Sequence, residues 1–338
     1  MGGLSRLVVQ GLVVVRAVAV DQPRSWLEPI ESHLSPALAT PEARRRLHEV
    51  AHHLPSDCLT ILECHLGQGG QRVDLSIKLV NPRQAEHVLR QLPSPDLERF
   101  LGWWVNEGLP SGQVPATWLE FDLPPGSEGV PEPLLCAQLP RPLDSSWLLN
   151  VLQPQMCGEA GSQRQRASLE HCLANIPESA YPLYFFSLRA RGSRAVRLEL
   201  FGPRLEEIPG CLKVVAGEWA SKMVGDVLPV FDDVDRLHLS LDFEEKVLPR
   251  VGVEGSFRKL PSREIGWQEV LDRLGMGRLV RLEEQDGVRR WPGQDEQIVR
   301  GVSHIKVVWF PGAAVRKKIY LLIMAKRSVG EYLRLAKP

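Results

Sequence analysis

Three kinds of side chain recur at alternate positions in the short apolar–polar stretches of this sequence. Together they could bind an anion, face a cation and carry a proton. The basic set is Arg72, Lys78, Arg189, Arg197, Arg236, Lys306 and Lys318, and cations converging from different strands can hold a multiply charged anion. Trp118 and Tyr320, with His238 beside them, offer aromatic faces; such faces stabilise a cation by roughly 0.5–2 kcal/mol each. Glu120, with Glu63 and Glu199 behind it, is a carboxylate able to orient a substrate and take its proton. Each group also has an ordinary explanation. Lys318 and Arg197 read first as cross-strand ion-pair partners, Glu120 as a solvated strand residue between Leu119 and Phe121, and His238 as a hydrogen-bonded structural histidine. His238 and His304 begin corresponding strands, which suggests that both point inward.

Other motifs carry less. Asp232, Asp233 and Asp235 lack the spacing of a calcium loop and read as a turn before a strand. Gly67-Gln68-Gly69-Gly70 matches a phosphate loop only in glycine content: it lies between strands and has no P-loop lysine. Nucleophile-elbow, zinc, dinucleotide and kinase signatures are absent. Cys58, Cys64, Cys136, Cys157, Cys172 and Cys211 form no CxxC pair, and read as packed thiols of a reducing cytoplasm.

With 338 residues, 43% hydrophobic and 24% charged, the chain is globular and long enough for a large core. Lys plus Arg and Asp plus Glu balance at 41 each, so there is no net field to drive nucleic-acid binding. The first twenty residues have the outline of a signal peptide, with Arg6 early and Ala17-Val18-Ala19 late. Gln10 and Arg16 interrupt the apolar run, however, and it is too short to span a bilayer. A buried strand or helix, or residues ahead of the true start, fits it better. No membrane span is expected elsewhere.

The elements that must position the candidate groups follow from periodicity. Residues 1–57 read as an N-terminal helical and apolar segment, with Thr40 capping a helix that starts at Pro41. Residues 58–330 read as one domain of hairpins and helices, and 331–338 as a tail. Five strand pairs stand out: 58–66 with 72–80, 117–123 with 134–139, 183–189 with 195–201, 236–243 with 252–257, and 303–310 with 317–323. Helices are expected near 82–93, 95–107, 144–153, 163–175, 217–226 and 262–274.

The fold class is therefore α+β, with about ten antiparallel strands. Alternation gives nearly every strand one apolar and one polar face: Val73, Leu75, Ile77 and Leu79 oppose Asp74, Ser76 and Lys78, while Leu237, Leu239 and Leu241 oppose His238, Ser240 and Asp242. Helices must cover the apolar face. An open sheet would leave the polar face in water; a closed barrel would make it the lining of a lumen. A ten-strand sheet tends to curl, and closure removes exposed edges, which favours the barrel.

Ten strands from five hairpins with helices outside resemble the layout of the αββα-barrel aromatic and peptide prenyltransferases across residues 58–323. Lys318-Ile319-Tyr320 looks like the Lys-x-Tyr strand element of that family, and Val247-Leu248-Pro249-Arg250-Val251-Gly252-Val253 looks like a segment of its peptide-modifying, cyanobactin-type branch. The sequence departs from the indole-modifying branch in having only one Lys-x-Tyr. The resemblance implies transfer of an allylic group from a diphosphate donor to an aromatic or peptide acceptor. The seven basic residues would then hold the diphosphate, Trp118, Tyr320 and His238 would shield the cation, and Glu120 would act as base. No cofactor is demanded, although Mg²⁺ could be held through the diphosphate by Asp122 or Asp242. Two rival readings are a non-catalytic binding protein and an accessory protein of peptide or secondary-metabolite assembly. An enzyme of the first kind needs a cavity of several hundred Å³ with at least three of these cations pointing into it.

Overall fold

The computed structural model describes residues 27–225, 228–232, 234, 236–257 and 266–326. The expectations for residues 1–20, for Asp233 and Asp235, for the start of the 262–274 helix and for the tail lie outside the described residues. The strands are β1 (Leu59–Leu66), β2 (Val73–Leu79), β3 (Thr117–Phe121), β4 (Leu134–Gln138), β5 (Tyr181–Ser187), β6 (Val196–Phe201), β7 (Leu237–Phe243), β8 (Val247–Ser256), β9 (Gly293–Gln294), β10 (Ile298–Trp309) and β11 (Arg316–Ala325). Each of β1 to β7 pairs antiparallel with the next; β8 pairs with β10, β10 with β11, and β11 returns to β1. The ten-strand ring is closed, and two-residue β9 sits beside one end of β10. Of the two architectures the alternation allowed, the barrel is the one adopted.

Helices cover the outside: α1 (Glu28–Glu31), α2 (Pro41–Ala51), α3 (Pro82–Gln91), α4 (Pro95–Trp103), α5 (Ser145–Trp147), α6 (Gln153–Cys157), α7 (Gln163–Ala174), α8 (Ile208–Val215), α9 (Glu218–Gly225), α10 (Gly266–Met276) and α11 (Leu282–Arg290). Thr40 caps α2 by accepting from the Ala43 N–H at 3.3 Å, with Pro41 supplying the first helical residue. The main core lies between ring and helices. Outward residues Leu75, Leu119, Leu239 and Leu321 pack with Leu47, Val88, Leu101, Leu212 and Leu271 of the helices. All six cysteines are buried, unbridged thiols, and no described helix is long and apolar enough to cross a membrane.

Three local features differ from or extend the sequence reading. The strand expected at 252–257 begins earlier, at Val247, which pairs with Phe243 across an irregularity in β7. Helix α11 carries no clear apolar period and was not anticipated. In β10 a bulge falls between Val302 and His304. It flips the parity of that strand, so Arg300 points outward to the Trp291 carbonyl (3.0 Å) while His304 and Lys306 point inward.

The glycine-rich β1–β2 turn does bind an anion, but an internal one. Buried Glu284, at the start of α11, accepts from the N–H groups of Gly67 (2.9 Å), Gly69 (3.2 Å) and Arg281 (3.0 Å). Gly70 is required on two counts: its φ is +71°, and a Cβ would meet the Pro36 and Ala37 carbonyl oxygens at 2.8 Å. Glu284→Ala would orphan those three donors and is expected to cost about 3 kcal/mol of stability, with Glu284→Gln costing less, as measured by chemical denaturation.

Candidate active site

The inward strand faces enclose a lumen of about 530 Å³ that reaches the loop residues Gly112, Pro115, Pro140 and Arg141 at one end. Lys78, Arg197, Arg236, Lys306 and Lys318 line it, together with Trp118, Glu120, His238 and Tyr320. Two of the proposed anion ligands lie elsewhere. Arg72 pairs with Asp74 (2.9 Å) and Asp122 (3.1 Å) and is not among the lumen-lining residues. Arg189 sits on an outer turn with Asp96 (3.2 Å) and Glu159 (3.6 Å).

The lumen cations are mostly paired. Lys306 and Lys318 face each other directly across β10 and β11, a like-charge opposition that would be unfavourable alone. Each is neutralised by its own carboxylate, Glu254 for Lys306 and Glu63 for Lys318. Arg197 binds Asp242 in bidentate fashion at 2.6 and 3.2 Å, and Arg250 reaches the same carboxylate at 3.2 Å. The ion-pair reading of Lys318 and Arg197 thus describes their resting state. Both candidate Mg²⁺ ligands are engaged as well: Asp242 as described, and Asp122 by Arg72 and by Arg191 at 2.6 Å. Glu63, His65 and Asp74 bring ligand atoms within 4.8 Å of one another, but Lys318 and Arg72 already occupy their oxygens. Arg236 is different. It makes no ion pair among the described residues and lies over Phe201 at 5.7 Å.

Charge states follow from these contacts. Burial alone would raise the Glu254 carboxyl, but Lys306, His304 and His238 overcome it and hold it at about 2. Glu63 is likewise held well below the usual range by Lys318 and His65 against its burial. Glu120 is the exception. No hydrogen bond or ion pair holds it among the described residues, and burial plus the Glu63 charge push its carboxyl up to about 7, against the pull of Arg191, Arg197 and Lys306. A group poised there can exchange a proton at neutral pH.

An aromatic wall lines the same lumen. Tyr320 stacks on His304 at 3.8 Å, His304 lies parallel to His238 at 6.3 Å, and His238 meets the Phe201 edge at 4.8 Å. Burial lowers His304 to about 4, so this ring is neutral near pH 7. Lys78 lies over Trp118 at 5.6 Å and Arg197 over Phe186 at 5.7 Å. Among the residues missed from sequence, Phe201 shares strand parity with Arg197 and was legible in principle, while Glu254 lies opposite His238 and Lys306 on the neighbouring strands. Arg191 comes from a turn and gave no signal.

A closed ring of ten antiparallel strands, sheathed by helices around a polar lumen, is the αββα-barrel fold of the prenyltransferases. Solved structures that share it include the prenyltransferase PriB in its apo form, with a TM-score of 0.57 at 10% identity over 88% of this chain and 96% of that one. NotF prenyltransferase gives 0.55 at 10% identity over 91% and 96%. The 6-dimethylallyltryptophan synthase from Micromonospora olivasterospora, solved with DMASPP and Trp, gives 0.54 at 12% over 89% and 97%. At such identities the likeness is one of fold. No family model and no curated protein matches the sequence.

Proposed function

We propose that this protein transfers an allylic group from an isoprenoid diphosphate to an aromatic or peptide acceptor inside the barrel. The observation that carries this reading is the set of five cations, Lys78, Arg197, Arg236, Lys306 and Lys318, that share one lumen with a poised carboxylate and an aromatic wall. In this scheme the donor's C–O bond breaks and its electron pair leaves with the diphosphate, which those cations hold. Arg236 supplies positive charge that no described carboxylate offsets, while the paired cations supply directed donors. The allylic cation lies against Trp118, Tyr320 and His238, whose faces stabilise it and exclude water. An acceptor carbon then forms the new bond, and Glu120 takes the displaced proton.

One observation favours a second reading, a lumen that holds a neutral apolar ligand without chemistry: Arg197, Lys306 and Lys318 already have carboxylate partners. Thermal shift against dimethylallyl and geranyl diphosphate, with the corresponding alcohols in parallel, separates the two. The transferase reading expects stabilisation by a diphosphate, about 2.7 kcal/mol at 100 times its Kd, and turnover with an aromatic acceptor. Equal stabilisation by alcohol and diphosphate, with no turnover, would support the binder instead.

A further inference from the structure

We propose that the lumen carries a second chemistry: Ser256, at the end of β8, is a nucleophile activated by His238 and set to accept an acyl group from an activated ester. The geometry is that of a relay. The His238 Nδ1–H donates to the Glu199 carboxylate at 2.7 Å, which orients the ring and directs Nε2 at the hydroxyl. The Ser256 hydroxyl lies 3.2 Å from that Nε2. Nucleophile, base and orienting carboxylate therefore stand in hydrogen-bond reach in the required order. They come from the adjacent strands β8, β7 and β6, and all three line the lumen.

The ring has little freedom to leave this position. Phe201 meets it edge to face at 4.8 Å, and His304 lies parallel on its other side at 6.3 Å. Glu199 is only 5% exposed, so its charge acts on the imidazole with little water to screen it. Arg236 precedes His238 by two residues on the same strand face, and its carbonyl accepts the Ser256 N–H at 2.9 Å, which locks the two in register. Its Nε is buried without a hydrogen-bond partner among the described residues, a cationic donor suited to a developing oxyanion.

In the acylation step the Ser256 oxygen attacks the ester carbonyl, its proton moves to His238 Nε2, and the C=O electron pair shifts onto oxygen. Collapse of that intermediate breaks the bond to the leaving oxygen, which takes the proton from Nε2. Water then releases the acyl group by the same route. His238 and Ser256 touch the reacting atoms, whereas Glu199 acts through His238 as a positioning residue.

The test is covalent labelling of the full chain by a fluorophosphonate probe, followed by intact mass and site mapping. One adduct at Ser256, with loss of fluoride, is expected. It should disappear in Ser256→Ala and form about 100-fold or more slowly in His238→Gln. Ser303→Ala, which changes a lumen serine bonded to His304 instead, should label like the parent. Glu199→Gln should slow labelling and move the pH of its midpoint, which a purely structural role would not do. Should Ser256→Ala fail to fold, Ser256→Cys gives a second readout: its thiol should alkylate at pH 7 at least about 10-fold faster than in Ser256→Cys/His238→Gln. An unlabelled parent protein, an adduct that survives in Ser256→Ala, or equal alkylation rates in that pair would overturn the proposal.

Discussion

Glu120→Gln is expected to lower allylic transfer by about 100-fold or more while making the protein more stable at alkaline pH. The two effects share one cause. With its carboxyl raised to about 7 by burial and by Glu63, the folded protein binds this proton more tightly than the unfolded chain, where the group titrates near 4.3. Stability from this group is therefore fully present at low pH and declines as pH rises from about 4.5 through about 7. At pH 8 the ionised side chain sits in the lumen at a cost that Gln removes. An order-of-magnitude figure, reduced for lumen water, is about 2 kcal/mol. The two melting curves should converge near pH 4.5. Activity runs the other way, because the base works only when ionised. Transfer by the parent should fall about tenfold per pH unit below about 7, and that limb should be missing from the residual activity of Glu120→Gln. A stability gain without loss of transfer would remove Glu120 from the chemistry and leave it as a strained wall residue.

The lumen face of this barrel was legible because a strand has a period of two and helices can cover only apolar side chains. Asp74, Ser76 and Lys78, or His238, Ser240 and Asp242, declare one face by alternation alone, and closure turns that face inward, where Ser76, Lys78 and His238 line the lumen. Alternation says nothing of partners. That Arg197 meets Asp242, and Lys318 meets Glu63, depends on register between strands far apart in sequence. Nor does it survive a bulge. Arg300, His304 and Lys306 share parity, yet one inserted residue sends Arg300 to Trp291 and the other two into the lumen. Arg189 shows a third limit: the strand ends before it, so a periodic extrapolation had no backbone to follow. The Gly67–Gly70 turn shows a fourth, since its anion is a side chain more than two hundred residues away.

Lys318→Met is expected to cost about 3–5 kcal/mol, and adding Glu63→Gln to recover most of that loss. Glu63 is buried and Lys318 largely so, with side-chain exposures of 7% and 14%. Removing the ammonium leaves a carboxylate whose remaining partners are His65, at 3.3 Å, and the Tyr320 hydroxyl. Lys318 is the strongest influence holding Glu63 below the usual range, so in the single variant that carboxyl rises toward or above it. The penalty should accordingly be largest at pH 8 and shrink as Glu63 takes up a proton in acid. In the double variant neither charge is buried, and the pH dependence should vanish along with the penalty. This cycle is needed before any loss of activity in Lys318→Met can be assigned to donor binding, because a destabilised ring would lose turnover for reasons unrelated to diphosphate. If the double variant is as stable as the parent but no longer gains stability from an allylic diphosphate, Lys318 is a ligand. If it binds the diphosphate as the parent does, the lysine serves only to neutralise Glu63, and the donor must be held by Arg236 and the remaining cations of the lumen.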